Sequence, residues 1–250
     1  MLSAGDIKLI RSLSEKKFRD KTGLFVVEGE KMVAEALNSG YTVERVIRKD
    51  EIGEDKMRKI SMLSSGSPVL AIVHKPSGLI LNDKTSCQEV LGSDGLFLAL
   101  DSIRDPGNLG TILRIADWFG IKAVFASSDT VDIFNPKVVQ STMGAIFRVR
   151  FHYANLQTLC DAVHDTGGTV SGTFLDGTDI YSSDLNDGSQ TPSVIVIGNE
   201  SEGISDQISA LSDCRLLIPP FPSFARTSES LNAAVATAVT VAEFRRRYNH

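Results

Sequence analysis

The sequence predicts an α/β protein, a parallel-sheet domain with helices on both faces preceded by a smaller α/β domain. Three observations predict it. Short apolar runs such as LFLAL (96–100) and SVIVIG (193–198) read as strands buried on both sides. Amphipathic stretches of helical period separate them, as βαβ crossovers require. Polar loops rich in glycine, proline or small residues follow several runs, at the strand C-termini where parallel sheets bind ligands.

Along the chain, GLFVVEG (23–29) reads as a strand, and EKMVAEALNSG (30–40) as a helix with Met32, Val33, Ala36 and Leu37 on one face. YTVERVIR (41–48) reads as a strand, EDKMRKISML (54–63) as a helix, and SPVLAIVHKP (67–76) as a strand ended by proline. Residues 1–75 therefore form one domain, 76–94 a linker with at most a short helix, and 95–250 a second domain. That domain opens with LFLAL, the loop DSIRDPGN and a helix carrying Ile112, Ile115, Ala116 and Phe119 on one face. The strand KAVFAS, a helix near PKVVQSTMG and a short strand AIFRVR follow. Helix NLQTLCDAVHDTG, strands TVSGTF, SVIVIG and CRLLIP, and a final helix SLNAAVATAVTVAEFRRR complete the reading. Trp118 and Phe119 are expected to pack within the protein.

Composition narrows the chemistry. Three cysteines without a CxxC pair, and four histidines without ligand spacing, predict a metal-free protein of a reducing, cytoplasmic compartment. No apolar run is long enough to span a bilayer, and no secretory signal opens the chain. The net charge of −5 does not advertise nucleic-acid binding. The opening stretch is nonetheless basic, with Lys8, Arg11, Lys16, Lys17, Arg19 and Lys21 as candidate RNA-phosphate contacts or as a solvated helix face. Arg245-Arg246-Arg247 at the far end also suits a helix C-terminus.

The loops disfavour phosphate-centred cofactors and, with them, a nicotinamide enzyme. Asp105-Pro106-Gly107-Asn108-Leu109-Gly110 lacks the GxGxxG of nicotinamide sites, and no GxxxxGK[ST] or GxSxG is present. The loop Gly198-Asn199-Glu200-Ser201-Glu202-Gly203 carries two carboxylates, which repel phosphate; they are either simply solvated or beside a cationic ligand such as a sulfonium.

Three segments in order resemble the signature motifs of the SpoU (TrmH-type) RNA 2′-O-ribose methyltransferases of the SPOUT superfamily. They are Asn108-x-Gly110-x-x-x-Arg114-x-Ala116 with Phe119-Gly120, then Ile197-Gly198-Asn199-Glu200-x-x-Gly203, then Ile218-Pro219 with Ser230-Leu231-Asn232 and Ala236. NPKVVQSTMGAIFRV (135–149) resembles the segment between the first two. The N-terminal stretch resembles the family's RNA substrate-binding domain, which is similar to RNA-binding ribosomal proteins. The third motif departs from the pattern: PFPSFARTSE intervenes before Ser230, Pro220 stands for the usual methionine, and Ala233-Ala234 replace valine and serine.

The resemblance implies a deep trefoil knot in the catalytic domain, S-adenosylmethionine as cofactor, and a homodimer acting on ribosomal or, less favoured, transfer RNA. It implies Arg114, Asn108, Glu200, Ser230 and Asn232 as catalytic residues. Gly198, Asn199, Gly203, Ile218, Pro219 and Leu231 are implied as cofactor-binding, largely through backbone groups, with Gly203 more a permissive turn than a contact. Asn108 is a candidate cap of the Arg114 helix, Glu200 a candidate carboxylate partner for Arg114, and Ser230 and Asn232 compete between capping and substrate contact. Phe221 and Phe224 are placed to stack a base or to pack on a partner subunit. The competing function is an RNA-binding protein whose knotted domain is not catalytic.

Overall fold

The structure, a computed structural model, describes residues 2–63, 66–222 and 230–248. Helix α1 (Ala4–Ser12) is started by a capping box. Ser3 Oγ accepts from the Asp6 amide at 3.1 Å, and Asp6 accepts from the Ser3 amide at 2.9 Å. Helix α2 (Lys16–Thr22) stops at Gly23, whose φ of +69° supplies the left-handed turn. Strand β1 (Leu24–Glu28), α3 (Glu30–Leu37), β2 (Val43–Arg48), α4 (Lys49–Ile52), α5 (Glu54–Ile60) and β3 (Val69–His74) follow. These strands make an antiparallel sheet of order β1-β3-β2. Ile10 and Leu13, Leu24 and Val26, Met57 and Ile60, and Leu70 and Ile72 form one apolar core beside it.

The chain continues through β4 (Ile80–Leu81), α6 (Lys84–Leu91), β5 (Gly95–Leu100), α7 (Pro106–Trp118), β6 (Val124–Ala126) and α8 (Pro136–Ser141). After a 3-10 turn at Ala145–Phe147 come β7 (Phe151–Ala154), α9 (Leu156–Asp165), β8 (Thr169–Asp179), β9 (Pro192–Ile197), α10 (Asp206–Ser209), β10 (Cys214–Leu217) and α11 (Ala233–Arg247). Seven strands make a parallel sheet of order β10-β8-β9-β5-β6-β7-β4. Strands β5 and β9 lie inside it and are buried along their whole length, as their unbroken apolar runs require. Phe97 and Ala99 face a core shared with Cys87 and Leu91 of α6 and Leu159, Cys160 and Val163 of α9. By alternation Leu96, Leu98 and Leu100 point to the opposite face, and α11 packs against both β9 and α7.

Two compact units result: residues 1–77 with 132–148, and residues 78–131 with 149–250. This differs from the boundaries read in the sequence at two places. Residues 76–94 do not form a linker: β4 pairs with β7, and Cys87 and Leu91 of α6 are core residues of the second unit. Segment 132–148 belongs with the first unit, where α8 packs on β1 and the Phe134 ring lies 4.6 Å from that of Phe25. Within it the expected strand AIFRVR is a 3-10 turn preceded by Met143 and Gly144 at positive φ. Three consecutive apolar residues do not distinguish a strand from a buried turn.

The first unit also corrects the reading of Arg19 as an RNA contact. Its side chain is 2% exposed, pairs with Asp132 at 2.6 Å, and donates to the Leu13 and Ser14 carbonyls at 2.8 Å each. Lys16 and Lys17 are exposed but paired, with Asp20 and Glu15. Lys8, Arg11 and Lys21 are exposed.

Candidate active site

The parallel register carries the last residues of two strands to one level, since Leu100 of β5 lies opposite Ile197 of β9. Their following loops therefore emerge side by side. They are cross-tied: Asp101, 6% exposed, accepts from the Ser205 amide at 2.8 Å, and Asn199 Nδ2 donates to the Ser102 carbonyl at 2.7 Å. Ser102 sits at φ +61°, a strained value for a residue with a Cβ. Its amide donates to Ser127 Oγ at 2.8 Å and its hydroxyl to Asp129 at 2.5 Å, and these bonds hold the conformation.

The second loop folds back on itself. Asn199 and Gly203 exchange both backbone hydrogen bonds, at 2.9 and 3.0 Å, while Asn199 Oδ1 accepts from the Ser201 and Glu202 amides. Gly203 has φ +74°, and a Cβ on Gly198 would stand 2.2 Å from the Gly203 carbonyl carbon. Both glycines are thus required by the loop's own backbone. The Asn199 side chain organises this loop rather than pointing free of it.

One side-chain chain runs through all three loops. Asn108 Nδ2 donates to Glu200 Oε1 at 2.8 Å, and Asn108 Oδ1 accepts from Asn232 Nδ2 at 2.8 Å. Asn232 Oδ1 in turn accepts from the Ala234 and Val235 amides at 3.0 and 3.3 Å, capping α11. A carboxylate only accepts and a helix N-terminus only donates, so the two ends fix the orientation of both amides between them. Glu200 further accepts from the Arg104 and Asp105 amides at 3.4 and 3.3 Å.

This geometry corrects two sequence readings. Asp105, not Asn108, caps α7, accepting from the Asn108 amide at 2.8 Å with Pro106 in the first turn. The Asp-Pro pair was the available signal. Glu200 holds Asn108 rather than Arg114. Arg114 is exposed and makes no hydrogen bond or ion pair among the described residues. It lies on an outward stripe of α7 with Gly107, Thr111 and Trp118, while Leu109, Ile112, Leu113 and Ala116 are buried. Trp118, expected to pack, is 86% exposed. Ser230 is exposed next to the cap, and Phe221 is 96% exposed; Phe224 lies outside the described residues.

Residues 95–242 match the SpoU rRNA methylase family. The chain belongs to that family. Residues 5–91 match an MRM3-like substrate binding domain. Over 96% of its length the chain is 31% identical to the 23S rRNA (guanosine(2553)-2′-O)-methyltransferase RlmP of Bacillus subtilis, covering 95% of that protein. A TrmH-family structure from Porphyromonas gingivalis superposes with a TM-score of 0.86 at 35% identity, over 99% of this chain and 100% of that one. An AdoMet-bound rRNA methyltransferase from Sinorhizobium meliloti superposes with a TM-score of 0.85 at 28% identity, covering 100% and 98% of the two chains.

The residues present in this SpoU chain fit S-adenosylmethionine. Segments 198–205, 218–222 and 230–232 contain no lysine or arginine, so they offer no cationic side chain to a phosphate, while Glu200 and Glu202 suit a sulfonium. Leu231 is 47% exposed and Ile218 and Pro219 are half-buried, which supplies apolar surface for the rest of such a ligand. Among the described residues no group of His, Cys, Asp or Glu could hold a metal ion, and no helix is long and apolar enough to cross a membrane.

Proposed function

We propose that this protein methylates a ribose 2′-hydroxyl of ribosomal RNA with S-adenosylmethionine as the donor. The observation that carries the reading is the Glu200–Asn108–Asn232 chain, which ties the three motif loops together on the unit that presents an exposed Arg114 with no partner among the described residues. A non-catalytic RNA binder has no need of that set. The names of the rRNA-methylating relatives favour ribosomal over transfer RNA.

Bound S-adenosylmethionine supplies an electrophilic methyl group on a sulfonium. The residues proposed to hold it are Ile218, Pro219 and Leu231 with the backbone of the 198–203 loop, whose shape Gly198, Asn199 and Gly203 set. Arg114 is proposed to grip the target phosphate or ribose and to stabilise the oxygen as it gains negative charge. A guanidinium is not a base at physiological pH, so the hydroxyl proton passes to solvent as the methyl group is transferred. Holding the ribose oxygen in line with its target is mainly a task of positioning, with no metal required. Asn108 and Asn232 line the site, Glu200 fixes Asn108, and Ser230 lies beside the cap for substrate contact.

Lys8, Arg11 and Lys21 are the proposed phosphate contacts of the first unit, with Lys16 and Lys17 available once their exposed pairs, each contributing at most about 1 kcal/mol, open. The knot and a homodimer are proposed with the family. The exposed Trp118, Leu231 and Val235 give a second copy apolar surface to cover.

Ribosomal RNA from cells lacking the gene, treated with the protein and S-adenosylmethionine and then hydrolysed in alkali, tests the reading. A 2′-O-methyl group removes the nucleophile for alkaline cleavage, so an enzyme-dependent, alkali-resistant dinucleotide is expected. A digest with no alkali-resistant dinucleotide beyond those of untreated RNA would refute it.

A further inference from the structure

Helix α11 holds α7 at both ends. At the near end Asn232 donates to Asn108. At the far end Arg245 Nε donates to the Phe119 carbonyl at 2.8 Å and Arg245 Nη2 to the Gly120 carbonyl at 2.7 Å. A helix leaves its last carbonyls without intrahelical donors, and the planar fork of a guanidinium presents two donors at a fixed separation. Its neighbours in the run do other work. Arg246 and Arg247 both bind the buried carboxylate of Glu243, at 2.8 and 2.6 Å, and Arg247 also donates to the carbonyls of Ile180, Tyr181 and Ser183. Within the run, only Arg245 bonds to the α7 end. Arg114 lies between the two anchors, six residues after Asn108 and five before Phe119.

We propose that Arg245 is a positioning residue for Arg114: by gripping the Phe119 and Gly120 carbonyls just past the end of α7 it fixes that helix against α11, and so the backbone position from which Arg114 projects. This rests on the role of Arg114 given above. A helix pinned at one end only can pivot, and a 1 Å misplacement at a reacting centre costs on the order of 100-fold in rate. Arg245 touches neither substrate nor cofactor in this account.

The test compares Arg245→Gln, Arg245→Lys and, as a control in the same run, Arg246→Gln. Trp118, the sole tryptophan, is the last residue of α7, so its fluorescence anisotropy reports the anchored end without reference to activity. For Arg245→Gln we expect kcat for methyl transfer to fall at least about 10-fold, KM for RNA and the Kd for S-adenosylmethionine to hold, and Trp118 to become more mobile. Arg245→Lys, which keeps the charge without the fork, falls between it and wild type; it carries the test if the glutamine variant does not fold. Arg246→Gln keeps the wild-type kcat. An unchanged kcat in Arg245→Gln beside an active wild type overturns the positioning role alone. So does a lost kcat with unchanged Trp118 anisotropy. A wild type that methylates no RNA overturns the methyltransferase reading instead.

Discussion

Asn108 spends its amide on both sides, donating to Glu200 and accepting from Asn232. Replacing it with aspartate sets a second carboxylate against Glu200 at hydrogen-bond distance, a like-charge contact that disfavours ionisation and folding. Asn232→Asp differs in part, because a carboxylate still caps α11, while its second oxygen meets the Asn108 oxygen that had accepted from the amide. The expected outcome is a lower melting temperature and lower methyl transfer in Asn108→Asp, where two full charges meet, and a smaller loss of melting temperature with reduced transfer in Asn232→Asp, which keeps the cap. Equal melting temperatures for the two would contradict the amide orientations. Arg19 was misread because a charged residue in a basic stretch carries no sign of burial. Its partner Asp132 stands 113 positions away, beyond any local pattern. Asp132→Ala strands a buried guanidinium and is expected to cost about 3–5 kcal/mol in urea unfolding. A cost under about 1 kcal/mol, typical of an exposed pair, would restore the RNA-contact reading.

At the scale of elements, the apolar runs of β5 and β9 made the sheet interior legible, because strands covered on both faces leave no room for polar alternation. The loop after β9 was legible as a site but not as a self-bonded turn, since the Asn199–Gly203 pairing is a backbone matter. Gly198→Ala drives a Cβ into the Gly203 backbone, and is expected to lower both thermal stability and S-adenosylmethionine affinity by calorimetry. In α11, Arg246 and Arg247 hold the Glu243 carboxyl down to about 2 from an ordinary 4.5, against the opposing effect of burial. A depressed carboxylate pKa means the unfolded chain binds the proton more readily. Glu243 therefore contributes stability above pH 4.5 and loses it as pH falls toward 2. Melting curves should show wild type more stable than Glu243→Gln at neutral pH, with the gap closing between those values. A constant gap would show that the pair does not govern this titration.

At the scale of the whole molecule, three sequence motifs in order made the family legible, while the division into units was not. Segment 132–148 lies between two strands of the parallel sheet in sequence yet packs in the first unit, and only tertiary contacts with β1 reveal that. A fragment of residues 78–250 would strip β1 from Phe134, Val138 and Val139, all buried in the full chain, and is expected to aggregate where the full chain stays in solution. A well-behaved fragment by size-exclusion chromatography would show that the segment does not depend on the first unit.

An arginine with no partner among the described residues, beside three loops tied by Glu200, Asn108 and Asn232, is proposed to drive transfer of a methyl group to RNA. The most direct test is the single-turnover rate of labelled methyl transfer to undermodified ribosomal RNA by wild type and Arg114→Ala. With saturating RNA and S-adenosylmethionine, the variant is expected to be slower by about 100-fold or more, as for loss of one donor aimed at developing charge, with S-adenosylmethionine affinity unchanged. Equal rates for the two proteins would contradict it.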